Sequence, residues 1–209
     1  MLRAGNILSK SNRKLGTGYV SFSLAAVSSC PGATSACKSV CYASKLEKVY
    51  TSAQVGWARR FNLMRDTPEQ GEALLRASIS KLAPGSTFRI HVSGDFFSSA
   101  YVMMWRRIVK AFPAIKFYAY TRSWHVQSMV PSLLALASLP NLQLFASMDE
   151  TDAVLPHPLF RRAMMGDING QAAPGTVLCP VVMKKLDTCA DCNLCARPTK
   201  LGVTFPIHN

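Results

Sequence analysis

Seven cysteines carry the chemistry in this chain, and they fall into two groups with different spacing. Cys30, Cys37 and Cys41 lie within "SSCPGATSACKSVCYA", residues 28–43, as C-x6-C-x3-C. Cys179, Cys189, Cys192 and Cys195 lie within "CPVVMKKLDTCADCNLC" as C-x9-C-x2-C-x2-C. Four closely spaced thiols suit a closed metal site, zinc or iron–sulfur, and spacing does not choose between the two metals. Three thiols leave a coordination position open, which is what a metal needs in order to bind a reactant. An odd number of cysteines cannot all pair as disulfides, and in a reducing compartment metal ligation is the leading account of them.

The elements that must position these thiols follow from periodicity. "YVSFSLAAV", residues 19–27, alternates as a strand and runs into the first cysteine loop. From Lys45 to Arg65, apolar residues recur at three- and four-residue spacing through Leu46, Val49, Tyr50, Ala53, Trp57, Phe61 and Met64, which predicts one amphipathic helix. "TPEQ" predicts the start of another, with Thr67 as cap, Pro68 at the first helical position and Gln70 completing a capping box, and "APG" at 83–85 stops it. "TFRIHVSGD", "IKFYAYTRS" and "LQLFASMD" then read as strands, and "SSAYVMMWRRIVKAF" as a helix with Tyr101, Met104, Trp105, Ile108, Val109 and Phe112 on one stripe.

Strands joined by crossover-length helical segments predict an α/β fold with a parallel sheet. The expected architecture is a partial (βα) barrel or small parallel sheet with helices on the outer face, since a full eight-unit barrel takes about 250 residues. Residues 1–175 are expected to form this domain and residues 176–209 a Cys-rich metal module packed on it. On the second strand Phe88, Ile90 and Val92 should face the helices and Arg89, His91 and Ser93 the other side, making that side the polar wall of a cavity. At the strand ends stand Ser93, Gly94 and Asp95, then Thr121, Arg122 and Ser123, then Ser147, Met148 and Asp149. Ligands of parallel α/β folds bind at such ends.

His125, His157 and His208 have no cysteine-like spacing and read as surface or satisfied core residues. Trp105 reads as core, and so does Trp124.

This pattern resembles the radical S-adenosylmethionine (SAM) superfamily, in which a three-cysteine loop follows the first strand of a full or partial βα barrel. The resemblance implies that Cys30, Cys37 and Cys41 hold a [4Fe-4S] cluster whose open iron chelates the amino and carboxylate groups of SAM. Electron transfer then cleaves SAM to a 5′-deoxyadenosyl radical, which requires a reductant. It also implies that Ser93, Gly94 and Asp95 hold the SAM amino group, that Arg122, Ser147 and Asp149 meet the carboxylate and ribose, and that the four distal cysteines hold a second cluster. Zinc is the alternative at that distal site. The usual signature has spacings of three and two with an aromatic residue before the last cysteine, whereas here Val40 precedes Cys41 and Tyr42 follows it. Over most of its length, with "SGDF", "YTRSW" and the late cysteine run, the chain also resembles a family of bacteriophage-encoded proteins named only by gene position.

Charge and hydropathy bound the partners. Against 24 Lys and Arg stand 11 Asp and Glu, a formal net charge of +13 spread along the chain, which makes nucleic acid a candidate partner. No apolar run of about eighteen residues is present and the first residues are too polar for a secretory signal, so a cytoplasmic protein without membrane contact is expected. Three readings follow: an iron–sulfur enzyme of radical SAM type, acting on a nucleic acid or nucleotide; a nucleic-acid-binding protein with structural zinc or inert clusters; and an electron-transfer iron–sulfur protein. No catalytic residue is assigned.

Overall fold

A computed structural model describes residues 7–10, 12–166 and 171–206. The chain runs β1 (Tyr19–Phe22), α1 (Ser35–Ser39), α2 (Tyr42–Val49), α3 (Thr51–Asp66), α4 (Pro68–Ile79), β2 (Thr87–Ile90), α5 (Ser99–Ala111) and β3 (Lys116–Thr121). It continues through α6 (Val130–Ala137), β4 (Leu142–Met148), β5 (Arg161–Met165), β6 (Thr176–Leu178), α7 (Cys189–Cys192) and β7 (Gly202–Phe205). The strands form one seven-stranded sheet in the order β1-β2-β3-β4-β5-β7-β6, and each of its strand pairs is parallel.

That order decides what lies on each face. From β1 to β5 every crossover steps the same way across the sheet, so right-handed connections put all of their helices on one side. In register, Val20, Phe88, Phe117 and Leu142 form one row on this side and Phe22, Ile90, Ala119 and Leu144 the next. Both rows pack against fully buried Trp105, Ile108 and Leu133 of α5 and α6. The Trp105 ring stands 5.8 Å from those of Phe22 and Phe88. Burying each such side chain is worth roughly 1.5–3 kcal/mol, and this is the principal core.

Between β6 and β7 the direction reverses, because β7 inserts between β5 and β6. A right-handed connection must then cross the opposite face, and this connection is the cysteine-rich segment 179–201. It covers a surface on which Tyr19, Tyr118 and Tyr120 pack with Leu15, Ala190 and Ala196, and Phe145 with Leu194 and Val203. The expected polar cavity wall is therefore a filled aromatic surface in its central part. The C-terminal region supplies two strands of the same sheet, strands that were not among those expected.

Two local expectations change as well. The helix foreseen over 45–65 is two helices that break at Tyr50, whose backbone is extended (φ −116°, ψ 99°). Leu46, Val49 and Tyr50, assigned to its buried stripe, are exposed. Pro68 does open α4, but Thr67 makes no capping bond and donates instead to the Leu63 carbonyl.

β2 ends at Ile90, and His91 follows with φ +63°. This left-handed residue exchanges the two faces. The His91 ring turns to the helix side, stacked 5.7 Å from Tyr101 and bonded to its hydroxyl at 2.9 Å, while Val92 packs with the opposite face. Burial, reinforced by the charge of Arg89, pushes His91 down to about 3, so it is a neutral core residue.

Candidate metal centres

The first three thiols sit on the loop and short helices that follow β1, at the C-terminal rim of the sheet. Loop closure is enforced from several sides. Leu24 N–H donates to the Ser93 carbonyl (2.9 Å), Ala26 N–H to the Glu47 carboxylate (2.9 Å), and the Ser29 hydroxyl to the Ala25 carbonyl (2.6 Å). A Cβ on Gly32 would stand 2.0 Å from the Arg122 carbonyl oxygen, so "CPG" lets the thiol loop lie directly on the end of β3. Gly94, at φ +82°, would bring a Cβ to 2.5 Å from Ser29 Oγ. Thr34 caps α1 by accepting from Cys37 N–H (3.0 Å) and donates its own proton to Asp149 (2.9 Å).

Around this loop the structure gathers the other rim residues. The buried Arg122 guanidinium pairs with Asp149 at 3.0 Å and Asp152 at 3.2 Å, and His125 reaches Asp152 at 2.8 Å. Asp95 accepts from Phe96 N–H (2.7 Å), Arg122 N–H (2.7 Å) and Ser123 N–H (3.2 Å), so its carboxylate ties the ends of β2 and β3 together. Burial still outweighs those bonds and pushes Asp95 up to about 6. For Asp149 burial works upward, but the bonds from Thr151 and Thr34 and the charge of Arg122 win and hold it below the usual carboxylate range.

The two candidate groups that differ from these are Ser93, buried with its hydroxyl unpartnered among the described residues, and Arg122, whose Nε is likewise unpartnered. Ser147 contributes its carbonyl, which accepts from the Trp124 indole at 2.9 Å. His157 accepts from Leu159 N–H, and His208 lies outside the described residues.

Burial, helped by the Asp95 charge, pushes Cys30 up to about 12, and burial also raises Cys37 against the pull of Arg122. Without a cation these thiols stay protonated, so cation binding must release protons.

The distal thiols are built differently. Cys179, Cys189, Cys192 and Cys195 line a single pocket whose remaining wall includes Tyr19, Tyr118, Val181 and Leu194. α7 carries two of the thiols and opens with a reciprocal capping box between Thr188 and Asp191. Its first N–H groups bond to the carbonyls of Lys14 and Leu15, at 2.9 and 3.0 Å. The Tyr120 hydroxyl donates to Cys195 Sγ at 2.8 Å, and burial pushes that thiol up to about 11.

Arg161, 7 % exposed, lies over the Phe145 ring at 4.2 Å. It donates to the carbonyls of Leu194 (3.1 Å), Leu201 (2.7 Å) and Arg197 (3.2 Å), holding the chain that follows the thiols. Nothing local in the sequence signals Arg161 or Asp152, while strand alternation places Tyr118 and Tyr120 on the face opposite the helices without marking the Tyr120 contact to Cys195.

Among the described residues no group of three or more His, Cys, Asp or Glu side chains stands in a metal-holding arrangement. The donor chemistry nevertheless fits thiophilic metals: four thiols share one pocket distally, and three share one short segment at the rim.

The sequence profile of the family described as "Gene product 88" matches residues 6–198. The chain belongs to the Gene product 88 family. Similar proteins include the "Gene 88 protein" of Mycobacterium phage D29, 33 % identical over 196 residues, covering 82 % of this chain and 80 % of that protein. The "Gene 88 protein" of Mycobacterium phage L5 is 33 % identical over 190 residues, covering 80 % and 77 %. No solved structure matches. The Gene product 88 match spans the rim, α7 and most of the segment that crosses the inner face. Among the described residues, no helix of this family member is long and apolar enough to cross a membrane.

Proposed function

We propose that this Gene product 88 protein is an iron–sulfur protein of radical SAM type. In this reading Cys30, Cys37 and Cys41 hold a [4Fe-4S] cluster at the open rim, and Cys179, Cys189, Cys192 and Cys195 hold a second, closed one. One observation carries the reading. The three thiols lie on the rim where strand ends converge, and the same rim holds two buried polar atoms without partners among the described residues, Ser93 Oγ and Arg122 Nε, whereas the four line a pocket walled by aromatic and aliphatic side chains.

When bound, an open-site cluster supplies an iron that chelates SAM and the electron that cleaves it. The chain's own residues do the rest. Arg122, neutralised by Asp149 and Asp152, keeps its Nε–H for a ligand carboxylate, and Ser93 offers a hydroxyl. Asp95 positions both by fixing the strand ends; its three backbone bonds make it a clamp. The distal thiols, at the back of the inner face, serve folding or electron delivery.

Anaerobic purification with iron and sulfide analysis tests this reading. The expected protein is brown, with iron and acid-labile sulfide for two clusters, and SAM perturbs the paramagnetic resonance spectrum of one reduced cluster but not that of the other. Cys37→Ala should abolish one cluster together with the response to SAM. A colourless protein holding stoichiometric zinc at the distal site, with no iron at the rim, would overturn the proposal and leave structural zinc.

A further inference from the structure

The distal pocket has cations beside it and no acid in its wall. Besides the four thiols, Tyr19, Tyr118, Pro180, Val181, Leu194 and Val203 line it, and no carboxylate is among them. Two arginines of the sheet nevertheless reach the thiols. Arg89 of β2 lies over the Tyr120 ring, and that tyrosine donates its hydroxyl to Cys195 Sγ at 2.8 Å. Arg161 of β5 donates to the carbonyls of Cys195 (3.4 Å) and Leu194 (3.1 Å). Burial raises Cys189 while the charge of Arg89 works against it, and burial raises Cys195 while the Tyr120 bond and the charge of Arg161 work against it.

Neither arginine makes an ion pair among the described residues. The carbonyls on Arg161, and the His91 carbonyl that takes Arg89 Nε at 3.2 Å, satisfy hydrogen bonds but carry no net charge. Asp191, the acid on α7, is spent on its capping box with Thr188. A cation drawn out of water without a counter-charge is costly. Four thiolates supply that counter-charge once they hold a metal. Around a divalent ion, or around a [4Fe-4S]2+ core, they form a unit of net charge −2, the four thiol protons leaving to solvent. Two guanidinium groups balance it.

We infer that Arg89 and Arg161 are the fixed counter-charges of the distal centre, positioning residues that fit its pocket to a dianionic four-thiolate unit. Their role rests on the metal proposed for these thiols and is the same for iron–sulfur and zinc, whose four-thiolate units carry equal charge. With a cluster in place the two cations also favour an incoming electron and raise the reduction potential.

The deciding variants are at Arg89, because Arg161 also ties down the chain after the thiols. In the full chain purified anaerobically, Arg89→Met should lose its distal metal to excess EDTA about tenfold faster than wild type, or more. In a redox titration followed by paramagnetic resonance, its distal signal should appear at a more negative potential while the rim signal stays in place. Arg89→Lys restores the charge without the planar guanidinium and should recover both readouts. Arg162→Met removes the same charge from the other face of β5, where the guanidinium meets the Pro174 carbonyl, and should behave as wild type.

Wild-type metal release and potential in Arg89→Met would overturn the role of the arginines and leave the clusters standing. Failure of Arg89→Lys to recover the readouts would assign the loss to shape, and an equal loss in Arg162→Met would assign it to overall charge; either result overturns it as well. Stoichiometric zinc at the distal thiols would end the iron–sulfur reading, and metal release would still decide whether Arg89 balances the site. A wild-type chain with no distal metal would overturn both.

Discussion

The two sets of thiols occupy opposite kinds of environment on one sheet. The rim set belongs to a loop held by backbone bonds and two glycines, among ion pairs such as Arg122–Asp149 and beside the exposed surface of α2. The distal set lies under the inner face, where Tyr118, Leu194 and Val203 belong to the packed clusters. A site whose ligands are also core residues has its stability tied to the fold. One whose ligands sit on an outer loop can exchange its contents while the sheet stays intact.

The largest effect is expected at the distal thiols. If the distal thiols hold a metal as proposed, Cys192→Ala or Cys195→Ala should destabilise the protein by about 3–5 kcal/mol, roughly 10 °C in Tm, because losing it would unpin the segment that fills the inner face. Cys37→Ala should cost about 1 kcal/mol or less, since its side chain belongs to no buried cluster. Differential scanning calorimetry with metal analysis on the same samples measures both. Equal destabilisation by the rim and distal variants would mean that both sets of thiols are tied to the fold alike.

A change that leaves every thiol in place separates the two sites further. Gly32→Ala puts a methyl group 2.0 Å from the Arg122 carbonyl, a backbone atom that can yield only if the loop or the β3 end moves. The expected cost is roughly 1–3 kcal/mol, as for other overpacked sites, and the loop should lift off the rim. Rim metal content should fall while distal content holds. Loss of both metals together would mean that the two sites are not independent.

Much of this organisation is legible in sequence because its signals are local. Phe88–Ile90, Phe117–Ala119 and Leu142–Leu144 alternate cleanly, and crossover-length segments separate them, so the parallel sheet follows. β5 is harder to see because it begins with Arg161 and Arg162, and β6 has only three residues. The places of β6 and β7 depend on the reversal between them, which no local pattern records. The helical period runs on across Tyr50, so the break there is hidden, and with it the exposure of Val49. His91 adopts a left-handed backbone without the glycine or asparagine that usually announces one. At the candidate sites, the seven cysteines and the Ser93, Arg122 and Asp149 positions stand out by spacing and strand-end position. Asp152, Arg161 and Tyr120 reach the thiol sites only through tertiary contacts, from 30 or more residues away in the pairs Arg122–Asp152, Arg161–Leu194 and Tyr120–Cys195.

The smallest expected effect tests how closely the inner face is fitted to the distal thiols. Tyr120 packs against Phe145 at 4.9 Å between ring centres, lies under the Arg89 guanidinium at 5.1 Å, and donates its hydroxyl to Cys195 Sγ. Tyr120→Phe keeps the ring and both of those contacts and removes only the donor. The loss should be about 0.5–1.5 kcal/mol, the net value of one hydrogen bond, with no change in rim metal content. The donor also withdraws electron density from the sulfur, so a distal iron–sulfur cluster lacking it should be harder to reduce, at a more negative potential. Redox titration of the variant separates this from a packing defect, which would lower stability and leave the potential unmoved. An unchanged potential would mean that Tyr120 supports the fold of the segment and not the electronics of its metal. A shift confined to the distal signal would show that the aromatic face and the thiols it covers act as one unit.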